Sequence, residues 1–77
     1  DYMGNYKKAE LLYLNVMEIW GNVFGKDHER YATSLYNLAG LYSEMGQNDK
    51  AKQLYLEAID IKKKVLEKNL IQYANNL

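Results

Sequence analysis

Apolar side chains recur along this chain at the spacing of a helix that buries one face. From Tyr31, the positions Leu35, Leu38, Tyr42 and Met45 follow at steps of four, three, four and three. All five therefore lie on one stripe of a helix that turns every 3.6 residues. A second stripe runs through Ala51, Leu54, Tyr55, Ala58, Ile61 and Val65, and an earlier one through Ala9, Leu12, Tyr13, Val16, Ile19 and Val23. The pattern predicts helices over about 5–24, 28–45 and 49–67, and a truncated fourth that begins near 70 and is cut off at Leu77. Residues 1–3 read as the tail of a missing helix.

The breaks between stripes carry their own signals. Gly46 suits the left-handed conformation that ends a helix, because it has no Cβ to clash. Asp27 can cap the helix after it, its carboxylate accepting free amide hydrogens of the first turn. Asn48 or Asp49 can do the same for the next. Gly25-Lys26-Asp27 interrupts the chain between the first two stripes. Each break is short, which makes neighbouring helices antiparallel.

The chain also repeats itself. Shifted by 42 residues, Met3-Gly4 falls on Met45-Gly46, Lys8-Ala9 on Lys50-Ala51, and Leu12-Tyr13-Leu14 on Leu54-Tyr55-Leu56. Ile19 meets Ile61, Val23 meets Val65, Lys26 meets Lys68, Tyr31-Ala32 meets Tyr73-Ala74 and Leu35 meets Leu77, so 13 of the 35 overlapping pairs are identical. One period holds two helices, the signature of a stacked repeat in which each pair buries its apolar face against the next.

Within one repeat, Leu35, Leu38, Ala39, Tyr42, Gly46, Ala51, Tyr55 and Ala58 form a pattern that resembles the tetratricopeptide repeat (TPR) signature. The segment from Tyr31 to Tyr42, Tyr-Ala-Thr-Ser-Leu-Tyr-Asn-Leu-Ala-Gly-Leu-Tyr, is similar to the kinesin-light-chain type, whose repeats are also 42 residues long. Period alone also admits HEAT or armadillo repeats. The Gly46–Ala51–Tyr55 spacing and the lack of a proline-kinked helix argue against both. The chain departs from the subtype in having Tyr36 for its first asparagine and Glu29 for a frequent proline. The resemblance implies an all-α class: an α-α superhelix, or TPR solenoid fragment, of antiparallel helix pairs forming a single segment over 1–77. It implies that Thr33, Tyr36, Asn37, Gly40, Ser43 and Glu44 face a groove for a peptide or protein partner. A purely structural or oligomerisation repeat, with no ligand of its own, is the alternative.

Composition narrows the chemistry. Ten basic and ten acidic residues cancel, which leaves no broad field for phosphate backbones, so no nucleic-acid partner is expected. Lys62-Lys63-Lys64 is read as a solvated helix face. No apolar run approaches the roughly 20 residues of a membrane span, so no membrane partner is expected either. The chain has no cysteine, hence no disulfide and no thiolate zinc site, and a cytoplasmic setting is expected. His28 is the single histidine. Asp27-His28-Glu29 at a helix start would point in different directions, a poor geometry for a shared metal. No phosphate loop is present, and Ser34 and Ser43 have no base within reach of the pattern. The chain is therefore read as no enzyme, without cofactor or metal.

Trp20 and Phe24 stand apart. They are read either as packing under the following loop or as interface anchors, since exposed aromatics are frequent hot spots. Lys62 occupies the Trp20 position of the second copy, so the repeat does not require Trp20. With both ends cut inside the repeat, the outer stripes should face water, and self-association through the uncapped ends is expected.

Overall fold

The computed structural model describes the backbone of residues 2–76 and side chains from residue 5 onward. It contains α1 (Tyr2–Phe24), α2 (Glu29–Glu44) and α3 (Asn48–Asn75), with no strand among the described residues. Two glycines end the first two helices in the left-handed conformation, Gly25 at φ 86° and Gly46 at φ 81°. Gly25 donates its N–H to the Gly21 carbonyl at 3.0 Å. After α2, the Gly46 N–H reaches Ser43 O at 3.1 Å and the Gln47 N–H reaches Tyr42 O at 2.8 Å, the paired bonds of a Schellman ending.

The caps fall one residue away from their expected places. His28, not Asp27, caps α2: its backbone is extended and its Nδ1 accepts the Arg30 N–H at 3.0 Å. With Glu29 as the first helical residue, Asp27 sits one position too early to serve. Gln47 occupies the cap position of α3 and makes no side-chain bond there. Asn48 and Asp49 lie inside the first turn instead, where the Asp49 carboxylate favours the positive end of the helix dipole.

Both ends differ from the expected boundaries. α3 runs unbroken through the stretch where a fourth helix was expected to start near 70. Glu67 stands where Gly25 ends α1, and without a glycine to turn left-handed the helix continues. Leu77 lies outside the described residues. At the front, Tyr2 and Met3 belong to α1 rather than to a preceding helix, and Gly4 lies inside it. Glycine permits the left-handed turn that ends α2 but does not impose it.

α2 is the centre of the molecule. It packs against both neighbours, while the backbones of α1 and α3 stay apart among the described residues. Tyr31, Ala32, Leu35, Ala58 and Ile61 form one buried cluster, with Met17, Leu54 and Val65 against it. Leu38, Ala39, Leu41, Tyr42 and Ala51 form the other, covered by Tyr6, Ala9, Leu14 and Met17 from α1 and by Leu54 and Tyr55 from α3. The start of α2 thus meets the later part of α3, and its end meets the start of α3, so the pair is antiparallel. Ala32, Ala39 and Ala58 are fully buried, and their small size lets the helix axes approach. The result is one layer of helices, with extents of 56 × 24 × 13 Å.

The two copies of the repeated helix use different faces. In α3, Leu54, Tyr55, Ala58, Ile61 and Val65 lie against α2. Their counterparts in α1, namely Leu12, Tyr13, Val16, Ile19 and Val23, are exposed. α1 instead reaches α2 through Tyr6, Ala9, Leu14 and Met17. A helix of this repeat therefore has one apolar face for its pair-mate and another for the next pair, and among the described residues no helix covers the first of these on α1.

Candidate interaction furrow

The side of α2 left free by its neighbours carries Thr33, Tyr36, Asn37, Ser43 and Glu44, all exposed, with Gly40 half-buried among them. The structure distributes five of these six positions over two open depressions. Tyr36, Asn37, Gly40 and Glu44 line a furrow of about 290 Å³ together with Leu41, Tyr13 from α1 and Tyr55 from α3. Thr33 and Asn37 line a second, of about 350 Å³, with Val16, Trp20, Glu29, Arg30 and Ser34. Asn37 sits on the rim between the two. Ser43 lines neither.

Local bonds decide what each group has to offer. The Thr33 hydroxyl donates to the Glu29 carbonyl one turn earlier at 3.0 Å, so its proton is already used within the helix. The Tyr36 ring meets the edge of Tyr55 at 4.8 Å between centroids, and the Lys62 ammonium stands 5.3 Å from the Tyr36 centroid. Tyr36 is thereby held on α3, yet 45% exposed. A methyl group built at Gly40 would meet the Tyr55 hydroxyl at 3.6 Å, an ordinary contact. The space at Gly40 is thus bounded by the Tyr55 hydroxyl. Tyr13 and Tyr55, absent from the expected groove, flank it as equivalents one repeat apart; the 42-residue shift that pairs them was the signal that could have found them.

Trp20 and Phe24 pack at the turn from α1 to α2. Their rings are 5.4 Å apart, Phe24 stacks on His28 at 4.3 Å, and the Arg30 guanidinium lies 5.4 Å from the Trp20 centroid and 5.8 Å from that of Phe24. The cluster ties the capping histidine to the end of α1, with Phe24 still partly open to solvent. Beside it, the Tyr31 ring rests on Gly21, where an added Cβ would come within 3.1 Å.

A side-chain hydrogen bond joins α1 to α2 at the far end. The Tyr42 hydroxyl donates to a Glu10 carboxylate oxygen at 2.7 Å. Burial first, then the hydrogen bond and the charge of Glu10, push the Tyr42 phenol up to about 12. Tyr31 shifts in the same direction, through burial and then the nearby Glu57 charge. A phenol raised in the folded state stabilises fully below its unfolded value of about 10. That contribution should disappear as pH climbs from there through about 12. Urea melts at rising pH should show stability falling across this window. Tyr42→Phe should cost about 1.5–3 kcal/mol at neutral pH, the range for a hydrogen bond to a charged group. It should also make the alkaline fall shallower, leaving the part due to Tyr31.

Among the described residues, no group of three or more His, Asp or Glu side chains is placed to hold a metal ion. No helix is long and apolar enough to cross a membrane.

Comparison with known proteins follows this geometry. The tetratricopeptide repeat family profile matches residues 2–64. A clustered mitochondria protein homolog from Meyerozyma guilliermondii is 33% identical over 61 residues, which is 79% of this chain and 5% of that protein. The chain thus spans a small fraction of the relative's length. No solved structure matches it.

Proposed function

Since the chain belongs to the tetratricopeptide repeat family, whose repeats are non-catalytic modules that generally mediate protein–protein interaction, we propose that its own task is to hold an extended peptide along α2. The observation that carries this reading is the furrow in which Tyr13, Tyr36 and Tyr55 surround Asn37 and Gly40. Tyrosine rings offer apolar walls with a polar tip. The Asn37 amide both donates and accepts, so it can pair with a peptide backbone whatever side chains the peptide carries. Glu44 at one end favours a basic residue there, and Thr33 extends the track into the second depression.

The 42-residue period and the Tyr31–Tyr42 segment support placing the chain in the kinesin-light-chain type. The Meyerozyma relative is named for clustered mitochondria, which supports an intracellular setting. A purely structural role has one observation in its favour, the open apolar stripe of α1.

The test uses peptides selected from a displayed random library against the chain. Asn37→Ala and Tyr36→Ala should each weaken the selected peptides about tenfold, equivalent to about 1.4 kcal/mol, with the helical circular dichroism unchanged. Affinities that stay the same in both variants reject the furrow as the binding site.

A further inference from the structure

Resting on the furrow along α2 as the peptide site, we infer that its ligand is a proline-rich segment in the polyproline II conformation, carrying a lysine or arginine about one turn away from the proline beside Asn37. The floor of the furrow belongs to α2, which has a helix packed on each side. Tyr36, Asn37 and Glu44 stay exposed with both flanks of α2 occupied.

Hydrogen bonding selects the proline. Along the furrow the backbone N–H groups of α2 are used within the helix, and no strand among the described residues offers an edge to pair with. An ordinary extended peptide brings one N–H for each residue, and every one covered without an acceptor weakens binding. The strong acceptors lining the furrow are the Asn37 side-chain oxygen and, at one end, the Glu44 carboxylate. Its donors are the Asn37 amide nitrogen and the hydroxyls of Tyr13, Tyr36 and Tyr55. A phenol donates better than it accepts, because its oxygen shares a lone pair with the ring. Proline has no N–H and keeps its carbonyl, so a proline-rich segment matches a furrow rich in donors. Aromatic walls suit it as well, since polyproline II segments arrive already extended and pack their rings on aromatic faces. Here the wall is built before binding: Tyr36 and Tyr55 meet edge to face at 4.8 Å.

Charge and spacing place the basic residue. Glu44 is the charged residue lining this furrow. At the other end the Lys62 ammonium stands 5.3 Å from the Tyr36 centroid and repels a second cation. From Asn37 to Glu44 is two turns of α2, about 10 Å. One polyproline turn of three residues covers about 9 Å, so a lysine or arginine three residues from the proline at Asn37 reaches Glu44.

Fluorescence anisotropy on the chain tests this with a labelled peptide, Arg-Ala-Pro-Pro-Ala-Pro-Pro-Ala-Arg, whose end arginines allow either direction of binding. It should bind saturably with a Kd below about 1 mM. Alanine in place of its prolines should weaken it about tenfold, through lost pre-organisation and added N–H groups. Glutamate in place of its arginines should weaken it about threefold or more, the scale of an exposed ion pair. Glu44→Lys should reverse that charge preference with helical circular dichroism unchanged, since a cation suits the last turn of a helix. The inference is overturned if the alanine peptide binds as well as the proline one, if neither binds, or if Glu44→Lys leaves the charge preference as it was. Library-selected peptides separate the two levels. If they depend on Tyr36 and Asn37 but carry no prolines, the furrow stands as a peptide site and the proline ligand falls. If no peptide of either kind responds to Tyr36→Ala or Asn37→Ala, both fall.

Discussion

Leu38→Ala should remove half or more of the chain's stability at room temperature. Leu38 is 2% exposed and stands in the cluster that α1 and α3 both cover. Truncating a leucine at such a site removes its transfer free energy and leaves a cavity, together about 2–5 kcal/mol. A chain of this length has roughly 4–12 kcal/mol of total stability, and a single layer of helices lies at the low end of that range because so much of its surface stays wet. The loss is large because Leu38 faces two helices at once. Chemical denaturation followed by circular dichroism checks the magnitude. Leu11→Ala, at a position 58% exposed, should change stability by no more than about 0.5 kcal/mol.

The second large effect comes from adding volume rather than removing it. Ala58 is fully buried where α3 crosses α2, beside Leu35 and Ile61. Ala58→Val should cost about 1–3 kcal/mol, since a packed core accepts extra methyl groups only by moving side chains or backbone. The repeat supplies an internal control, because Val16 occupies the equivalent position in α1 and is open to solvent. Val16→Ala should therefore be close to neutral or slightly stabilising through helix propensity. The two substitutions exchange the same side chains in the same repeat register. A large difference between them reports packing against α2, which one helix has on this face and the other lacks. Equal effects would mean that position 58 is not at a close helix crossing.

Much of this architecture is legible in the residue pattern, for identifiable reasons. In α2 the apolar stripe and the buried face coincide, because a short helix between two partners has little choice of orientation. In α3 the stripe from Ala51 to Val65 coincides with the buried face for the same reason. α1 is harder to read. It carries two apolar faces, Leu12–Val16–Ile19–Val23 and Tyr6–Leu14–Met17, and only the available partner decides which is buried. The boundary near residue 67 misleads because Lys68, Tyr73 and Ala74 repeat the first copy, while the residue that ends α1, Gly25, has become Glu67. Helix endings depend on one backbone conformation, which a single substitution removes even when the surrounding identities remain.

The furrow was partly legible in the same way. The positions from Thr33 to Glu44 follow from the resemblance of α2 to its family. What the pattern does not show is that the Thr33 hydroxyl bonds to its own helix, that His28 rather than Asp27 caps α2, or that Tyr13 and Tyr55 turn toward the furrow. The two tyrosines read as stripe residues because their spacing is that of the apolar face. They lie at its edge, where a ring can pack on one side and meet solvent on the other.

The central claim is that α2 lies between two copies of one helix and meets them through different faces. Nuclear Overhauser contacts between side chains of α2 and those of α1 and α3 test it most directly. The structure predicts contacts from Leu35 and Tyr31 to Ala58 and Ile61 and from Leu38 to Met17, with none from α2 to Ile19 or Val23 within the same molecule. Contacts from Leu35 or Leu38 to Ile19 and Val23 in a monomeric sample, with those to Ala58 and Ile61 missing, would contradict it.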